Sequence, residues 1–185
     1  LSTTIMAASC PVLFAPAMNT NMYENPIVQA NIQKLKQYGY LFVEPGSGRL
    51  ACGAVGKGRL PDTDILMQHI ESALWTKKDL QGLRILVTAG PTKEYIDPVR
   101  YISNPSSGKM GYAVAKAAAM RGAKVTLVSG PVQCTAPEGV ELIPVISALE
   151  MYDTVMDRVS NQDMIIKAAA VGDFRPQKVW DQKMK

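Results

Sequence analysis

The chain has 185 residues, 47% hydrophobic and 19% charged, a balance that builds a folded core and excludes extended disorder. Its formal net charge of +4 is scattered without basic runs, which argues against long nucleic acid and favours a small phosphorylated ligand. No apolar stretch approaches the ~20 residues of a membrane-spanning helix, so no membrane role is expected.

The three cysteines, Cys10, Cys52 and Cys134, leave one unpaired in any pairing, which fits a reducing, cytoplasmic setting. The start lacks the basic region of a signal peptide and reads as the middle of a helix. The ending Asp181-Gln182-Lys183-Met184-Lys185 reads as the middle of a loop, so the chain is expected to be a piece of a longer one.

In chain order, Val12-Leu13-Phe14-Ala15 predicts a strand stopped by Pro16. A loop to Asn25 precedes a helix that begins at Pro26 and ends before Gly39. Tyr40-Leu41-Phe42-Val43 predicts a second strand. Gly46, Gly48, Gly53, Gly56 and Gly58 crowd the next stretch, which is expected to be a long mobile loop. Asp62 or Thr63 then caps a helix running to about Ala73. Residues 77–82 are polar and patternless and read as a linker, dividing a first domain, 1–76, from a second, 83–185.

The second domain opens with a strand of the buried type, Arg84-Ile85-Leu86-Val87-Thr88, ending at Ala89-Gly90-Pro91. A loop is expected as far as Gly108, then an alanine-rich helix from Tyr112 to Met120 closed by Gly122. Strands at 124–128, 140–145 and 164–170, with a helix from Ser147 to about Val159, complete the pattern. This alternation predicts an α/β fold with a doubly wound sheet, which binds ligands at the carboxyl ends of its strands.

The run Ser103-Asn104-Pro105-Ser106-Ser107-Gly108-Lys109-Met110-Gly111 lies between a strand and a helix, where backbone N–H groups and the helix dipole attract an anion. Ser106 and Ser107 are placed to cap the helix or bond a phosphate oxygen, and Gly108 and Gly111 to admit ligand or sheet. Pro105 holds Asn104 extended and so directs its amide. An ordinary helix-cap loop is the alternative. The run is not a Walker A loop, because Met110 follows Lys109 and Ser103 stands where the first glycine belongs.

Cys52 sits in the glycine-rich stretch with Arg49, Lys57 and Arg59 near it in sequence, conditions that lower a thiol's pKa from ~8.5. The plainer reading of a cysteine, a small apolar filler, suits Cys10 and Cys134 better. Gly46-Ser47-Gly48 loosely matches a dinucleotide fingerprint, but no helix follows. Ala17-Met18-Asn19-Thr20-Asn21 follows a strand and crowds two amides where a ligand belongs. Asn19 and Asn21 need partners if buried, and a carboxylate or amide ligand supplies them. His69 falls within an amphipathic helix and is placed on its surface. Ala168-Ala169-Ala170-Val171-Gly172-Asp173 leaves room for a base or sugar beside the backbone and offers Asp173 to hydroxyls or a metal. Lys183 and Lys185, on residue type alone, read as surface lysines.

Together these segments resemble the bifunctional bacterial coenzyme A biosynthesis flavoproteins, which fuse a phosphopantothenoylcysteine decarboxylase to a phosphopantothenate–cysteine ligase. Pro16-Ala17-Met18-Asn19-Thr20-Asn21-Met22-Tyr23 is similar to the decarboxylase substrate motif, with Tyr23 where the family usually has tryptophan. Ala51-Cys52-Gly53 is similar to the reactive-cysteine flap. Thr88-Ala89-Gly90-Pro91-Thr92, Tyr95-Ile96-Asp97-Pro98-Val99-Arg100, residues 102–111 and residues 167–175 match the ligase, with Gly172 replacing a more usual alanine. The resemblance implies the C-terminal part of a flavodoxin-like decarboxylase domain followed by a Rossmann-like ligase domain.

By that resemblance the ligase takes 4′-phosphopantothenate and CTP with Mg²⁺, forms an acyl-cytidylate, and lets the cysteine amine displace CMP. Asn104 would assist the acyl-cytidylate and its attack by cysteine, and Lys183, in a Lys-x-Lys segment, would neutralise triphosphate charge. Ser106, Ser107, Gly108, Ala169, Ala170 and Asp173 would line the nucleotide. The decarboxylase would use FMN to oxidise the thiol of 4′-phosphopantothenoylcysteine. Asn19, with Met18 and Asn21, would hold the departing carboxylate, and Cys52 would donate a proton. The flavin-phosphate loop and catalytic histidine are expected before Leu1, and further ligase residues after Lys185. A ligase dimer and a larger decarboxylase assembly are implied as well.

Two rivals are weighed on the residues alone. An NAD-dependent Rossmann oxidoreductase would place a glycine fingerprint after residues 84–88 and an acid after 125–128, and neither is present. A non-catalytic nucleotide-binding module would leave Cys52 inert.

Overall fold

The strongest strand signal in the sequence, Arg84 to Ala89, becomes the centre of the largest sheet. The structure, a computed structural model, describes residues 2–75 and 77–184. Leu1, Thr76 and Lys185, named above for the chain ends, the first domain's limit and the polar tail, lie outside the described residues. The chain splits into two compact units, Leu1–Thr76 and Lys77–Lys185. No helix among the described residues is long and apolar enough to cross a membrane.

The first unit contains α1 (Ser2–Met6), β1 (Leu13–Phe14), α2 (Thr20–Tyr23), α3 (Pro26–Gln37), β2 (Leu41–Phe42), β3 (Gly46–Arg49), β4 (Val55–Arg59) and α4 (Thr63–Leu74). β1 and β2 pair in parallel, Leu13 opposite Leu41 and Phe14 opposite Phe42, and the two phenylalanine rings stack at 5.1 Å. Helix α3 starts where the sequence predicts, because Asn25 Oδ1 accepts the Ile27 N–H at 2.9 Å and Pro26 needs no acceptor there.

The glycine-rich stretch departs from expectation. Instead of a mobile loop it forms an antiparallel hairpin, with Ser47 opposite Lys57, Gly48 opposite Gly56 and Arg49 opposite Val55. Its turn is closed by Leu50 N–H donating to Ala54 O at 2.8 Å. The physical reason for two of the glycines, Gly56 and Gly58, is close approach to residues 18–20. A Cβ on Gly58 would lie 2.1 Å from Met18 O, and one on Gly56 would lie 2.5 Å from Thr20 Oγ1. Met18 N–H donates to Gly58 O at 2.9 Å, which seals the hairpin against residues 18–20.

The second unit contains β5 (Arg84–Ala89), β6 (Lys93–Tyr95), β7 (Tyr101–Ser103), α5 (Lys109–Met120), β8 (Lys124–Ser129), β9 (Glu141–Pro144), α6 (Ala148–Val159) and β10 (Met164–Lys167). Its main sheet is fully parallel in the order β10-β5-β8-β9. Alternate residues of β5 point to opposite faces. Ile85 and Val87 pack with Tyr112, Ala115 and Ala118 of α5, while Leu86 packs with Val128, Val145 and Met151, the last from α6. Each such fully buried aliphatic side chain stabilises by about 1.5–3 kcal/mol. This mixed α/β unit is therefore doubly wound, as its strand and helix spacing predicts.

Three details differ from the sequence reading. The expected loop before Gly108 holds a second hairpin, in which β6 and β7 pair Lys93 with Ser103, Glu94 with Ile102 and Tyr95 with Tyr101. Helix α5 starts at Lys109, before Tyr112, and neither Ser106 nor Ser107 caps it. The cap residue is Gly108 at φ 72°, with no side-chain bond. Residues 77–82, expected as a linker, are fastened to the end of α5. Lys78 Nζ donates to Met120 O at 2.8 Å, and Arg121 makes two 2.8 Å bonds to Asp79.

Gly58 (φ 140°) and Gly39 (φ 88°) both adopt positive φ, but a Cβ on Gly39 meets nothing within 4 Å. Gly39→Ala is expected to cost about 1 kcal/mol, and Gly58→Ala at least ~2 kcal/mol more because the hairpin must lift from Met18. Urea midpoints of the two variants check this. Equal shifts would contradict the packing role of Gly58.

Candidate functional site

In the first unit the loop after β1 turns into α2 at Asn19. Asn19 Oδ1 accepts the Asn21 N–H at 2.8 Å, which fixes the amide and turns Nδ2 towards the hairpin. Nδ2 donates to Cys52 Sγ at 3.3 Å. The pair lines a cleft of about 410 Å³ with Ala17, Met18, Arg49, Leu50 and Leu60. Asn21 is not among the lining residues and acts through its backbone N–H. Cys10 is exposed, and His69 is half-buried on α4.

The Cys52 thiol is pulled below the ordinary range first by the Ala54 backbone N–H and then by Asn19. The sequence credited the neighbouring cations, and two of them are engaged elsewhere. Lys57 Nζ donates to Glu44 Oε2 at 2.9 Å, and Arg59 pairs with Asp62. Glu44, missed in the sequence, also accepts from the buried Tyr23 hydroxyl at 2.8 Å and from Lys36 at 3.2 Å. Hydrogen bonds from Lys57 and then Tyr23 hold its carboxyl down at about 2. Tyr23 thus ties the α2 segment to Glu44 at the root of the hairpin that carries Cys52.

In the second unit, strand order reverses between β5 and β10, the switch point where open α/β sheets bind ligands. Just past it, Pro91 bridges Ala170, and Ala170 N–H donates to Gly90 O at 2.8 Å. Asn104 Nδ2 donates to Val171 O at 3.1 Å and Ala170 O at 3.3 Å. Two facing carbonyls settle which end of the amide is which, so Oδ1 is left to accept from a ligand. Ser103 Oγ donates to Thr92 O at 2.7 Å and pins the strand that delivers Asn104.

Ser106 Oγ accepts the Gly108 N–H at 3.4 Å, and Ser107 O accepts from Cys134 Sγ at 3.4 Å. The left-handed Gly108 lets the chain enter α5 directly, leaving the first-turn N–H groups of α5 for an anion. Ala169 and Ala170 are half-buried at the same edge, and Asp173 is exposed beyond Gly172. Lys183 is exposed too, but the next residue is held, with Met184 N–H donating to Asp97 Oδ2 at 3.2 Å. Asp97 is fully buried, and the Arg100 guanidinium beside it holds its carboxyl well below the usual carboxylate range. The signal for this pair was an acid and a base three residues apart around Pro98.

Because its pKa is lowered, Cys52 keeps thiolate to lower pH than an ordinary cysteine. Its alkylation by iodoacetamide is expected to outrun that of exposed Cys10 at neutral pH. Asn19→Ala should move the pH profile of Cys52 upward, as mass spectrometry of the modified thiol would register. A profile unmoved by that change excludes the amide as a donor to the thiolate.

Comparison with known proteins follows this division. Residues 80–185 match the family model described as DNA/pantothenate metabolism flavoprotein C-terminal domain, and residues 1–74 match the Flavoprotein model. The whole chain is 50% identical to the coenzyme A biosynthesis bifunctional protein CoaBC of Bacillus subtilis and 52% identical to that of Vibrio cholerae. In each case it spans 46% of the relative's length. Among solved structures, a C-terminal domain of such a protein matches with a TM-score of 0.52 and 54% identity, over 54% of this chain and 50% of that one. The match over 80–185 covers more than half of the residues, and the chain belongs to the DNA/pantothenate metabolism flavoprotein family.

Proposed function

We propose that this chain carries parts of two consecutive enzymes of coenzyme A biosynthesis. The second unit serves a CTP-dependent ligase that joins 4′-phosphopantothenate to cysteine through an acyl-cytidylate. The first serves an FMN-dependent decarboxylase that converts the product, 4′-phosphopantothenoylcysteine, to 4′-phosphopantetheine. The observation that carries the ligase reading is the fixed amide of Asn104 at the switch point. Its free Oδ1 suits an attacking amine, which needs an acceptor for its N–H groups. Beside it, the N-terminus of α5 and the small residues Ala169 and Ala170 suit a phosphate and a nucleoside. Lys183 would neutralise the triphosphate.

No group of three His, Cys, Asp or Glu residues that could hold a metal lies among the described residues. In this reading Mg²⁺ arrives with CTP, whose phosphate oxygens supply ligands to it. In the first unit the cleft offers apolar walls from Ala17, Met18, Leu50 and Leu60 beside one amide, one thiol and the side chains of Arg49 and Arg59. That lining suits a planar ring and a carboxylate. When bound, FMN supplies reversible two-electron chemistry at the substrate thiol. Asn19 Nδ2 would orient the departing carboxylate, and Cys52, with its lowered pKa, would deliver a proton. The three free cysteines fit a reducing, cytoplasmic setting, and a dimer of ligase units is part of this reading.

CTP with Mg²⁺ is expected to raise the melting temperature of the chain more than ATP does, because a ligand selective for the folded state stabilises it. In a chain extended to the length of its relatives, Asn104→Asp replaces the donor to Ala170 O and Val171 O with an acceptor. A loss of roughly 100-fold in cysteine-dependent turnover is expected. Lys183→Gln should slow pyrophosphate release from CTP and 4′-phosphopantothenate. Equal shifts from both nucleotides, or full activity in both variants, would sink the assignment.

A further inference from the structure

A buried carboxylate closes the far end of the hairpin that delivers Asn104. Asp97 Oδ1 accepts the N–H groups of Val99 at 2.9 Å and Arg100 at 2.8 Å. Its Oδ2 accepts from Arg100 Nε at 2.8 Å, from Arg100 Nη2, and from Met184 N–H at 3.2 Å. Arg100 Nη2 also donates to Met184 O at 2.8 Å. One member of the ion pair therefore holds each polar group of the Met184 backbone. Four residues earlier, Trp180 N–H donates to Ile96 O at 3.0 Å.

A turn that only needed to close would not have to hold a distant segment. A buried carboxylate is costly without a partner, and this one takes its last donor from a residue 87 positions away. The hairpin is a short spacer between two sites. Arg100 and Asn104 are four strand steps apart, roughly 13 Å at ~3.3 Å per residue, and pairing of β7 with β6 fixes that reach. Lys183 precedes the clamped residue. Its own side chain is exposed, and a polar segment of this kind is mobile unless tied down.

We propose that Asp97 and Arg100 clamp the segment bearing Lys183 at a set reach from Asn104, making Asp97 a positioning residue for Lys183. The proposal rests on the CTP-dependent reading above for its functional meaning, while the clamp itself is a matter of geometry. Asp97 touches no reacting atom in this account. It acts by restricting where the ammonium of Lys183 can go.

Hydrogen exchange on the chain reads the clamp without substrate. In Asp97→Asn the Met184 amide is expected to lose at least ~10-fold in protection while the amides of β5 keep theirs. If that variant also loosens β5, Arg100→Ala is read in the same way. In the chain extended to the length of its relatives, Asp97→Asn is expected to slow pyrophosphate release at least ~10-fold in kcat. Combined with Lys183→Gln, it should cost no more than Lys183→Gln alone, because residues acting through one another are not additive. Unchanged Met184 exchange in both variants, or additive losses of rate, overturns the proposal. If the unsubstituted extended chain releases no pyrophosphate from CTP, the functional reading fails, and the exchange result still decides the clamp.

Discussion

Strand β5 has a parallel partner on each edge and a helix on each face, so every side chain from Ile85 to Ala89 is buried. Nothing can bind along its length. Its carboxyl end is different, because the strand order reverses there between β5 and β10, with α5 packed on one face of the sheet and α6 on the other. The backbone groups just past the strand ends are shared out among Gly90, Pro91, Thr92, Ala170 and Gly172. Thr92, itself fully buried, accepts the Gly172 N–H at 2.9 Å. Asn104 then bonds two carbonyls, Val171 O and Ala170 O, the second of which also accepts the Thr92 N–H at 3.4 Å. The site is thus a consequence of sheet order, and the identity of residue 104 follows from the need for a two-hydrogen donor.

The first unit depends on backbone proximity in place of burial. The hairpin touches residues 18–20 through glycines, and a close backbone contact is what brings Cys52 within reach of Asn19. The ion-pair cluster of Glu44, Lys36 and Lys57 is half exposed and on its own contributes little. Tyr23 changes that assessment. Its hydroxyl gives Glu44 a fixed partner, so the root of the hairpin and the end of α2 are referred to the same side chain.

Strong periodic signals were legible in the sequence. Arg84 to Ala89, the alanine-rich α5 and the helix starts at Pro26 and Ser147 all emerged within a few residues, because each is set by local chemistry. The hairpins were not legible. β6 and β7 have three residues each, too short for a period of two to show, and the contact of their turn with Met184 joins residues 87 positions apart. The glycines of β3 and β4 misled for a different reason. Glycine marks both freedom and close approach, and only the partner surface at Met18 tells which applies. The source of the Cys52 shift was misread likewise: two of the three charges near in sequence pair elsewhere, and hydrogen bonds lower the thiol's pKa.

The two asparagines show how one residue type can serve opposite chemistry. An asparagine amide has a donor end and an acceptor end, and whichever end the backbone occupies leaves the other for a ligand. At position 19 a backbone N–H takes the oxygen, so a donor faces the cleft, suited to a thiolate or a carboxylate. At position 104 two backbone carbonyls take the nitrogen, so an acceptor faces the switch point, suited to an amine. Exchange of either for aspartate would remove the donor in both places, with different results. At 19 the loss falls on the ligand side and sets a carboxylate against an anion. At 104 it falls on the scaffold side and frees the loop while an acceptor is still offered. The backbone around each asparagine, and not its side chain alone, therefore decides which kind of ligand the site can take.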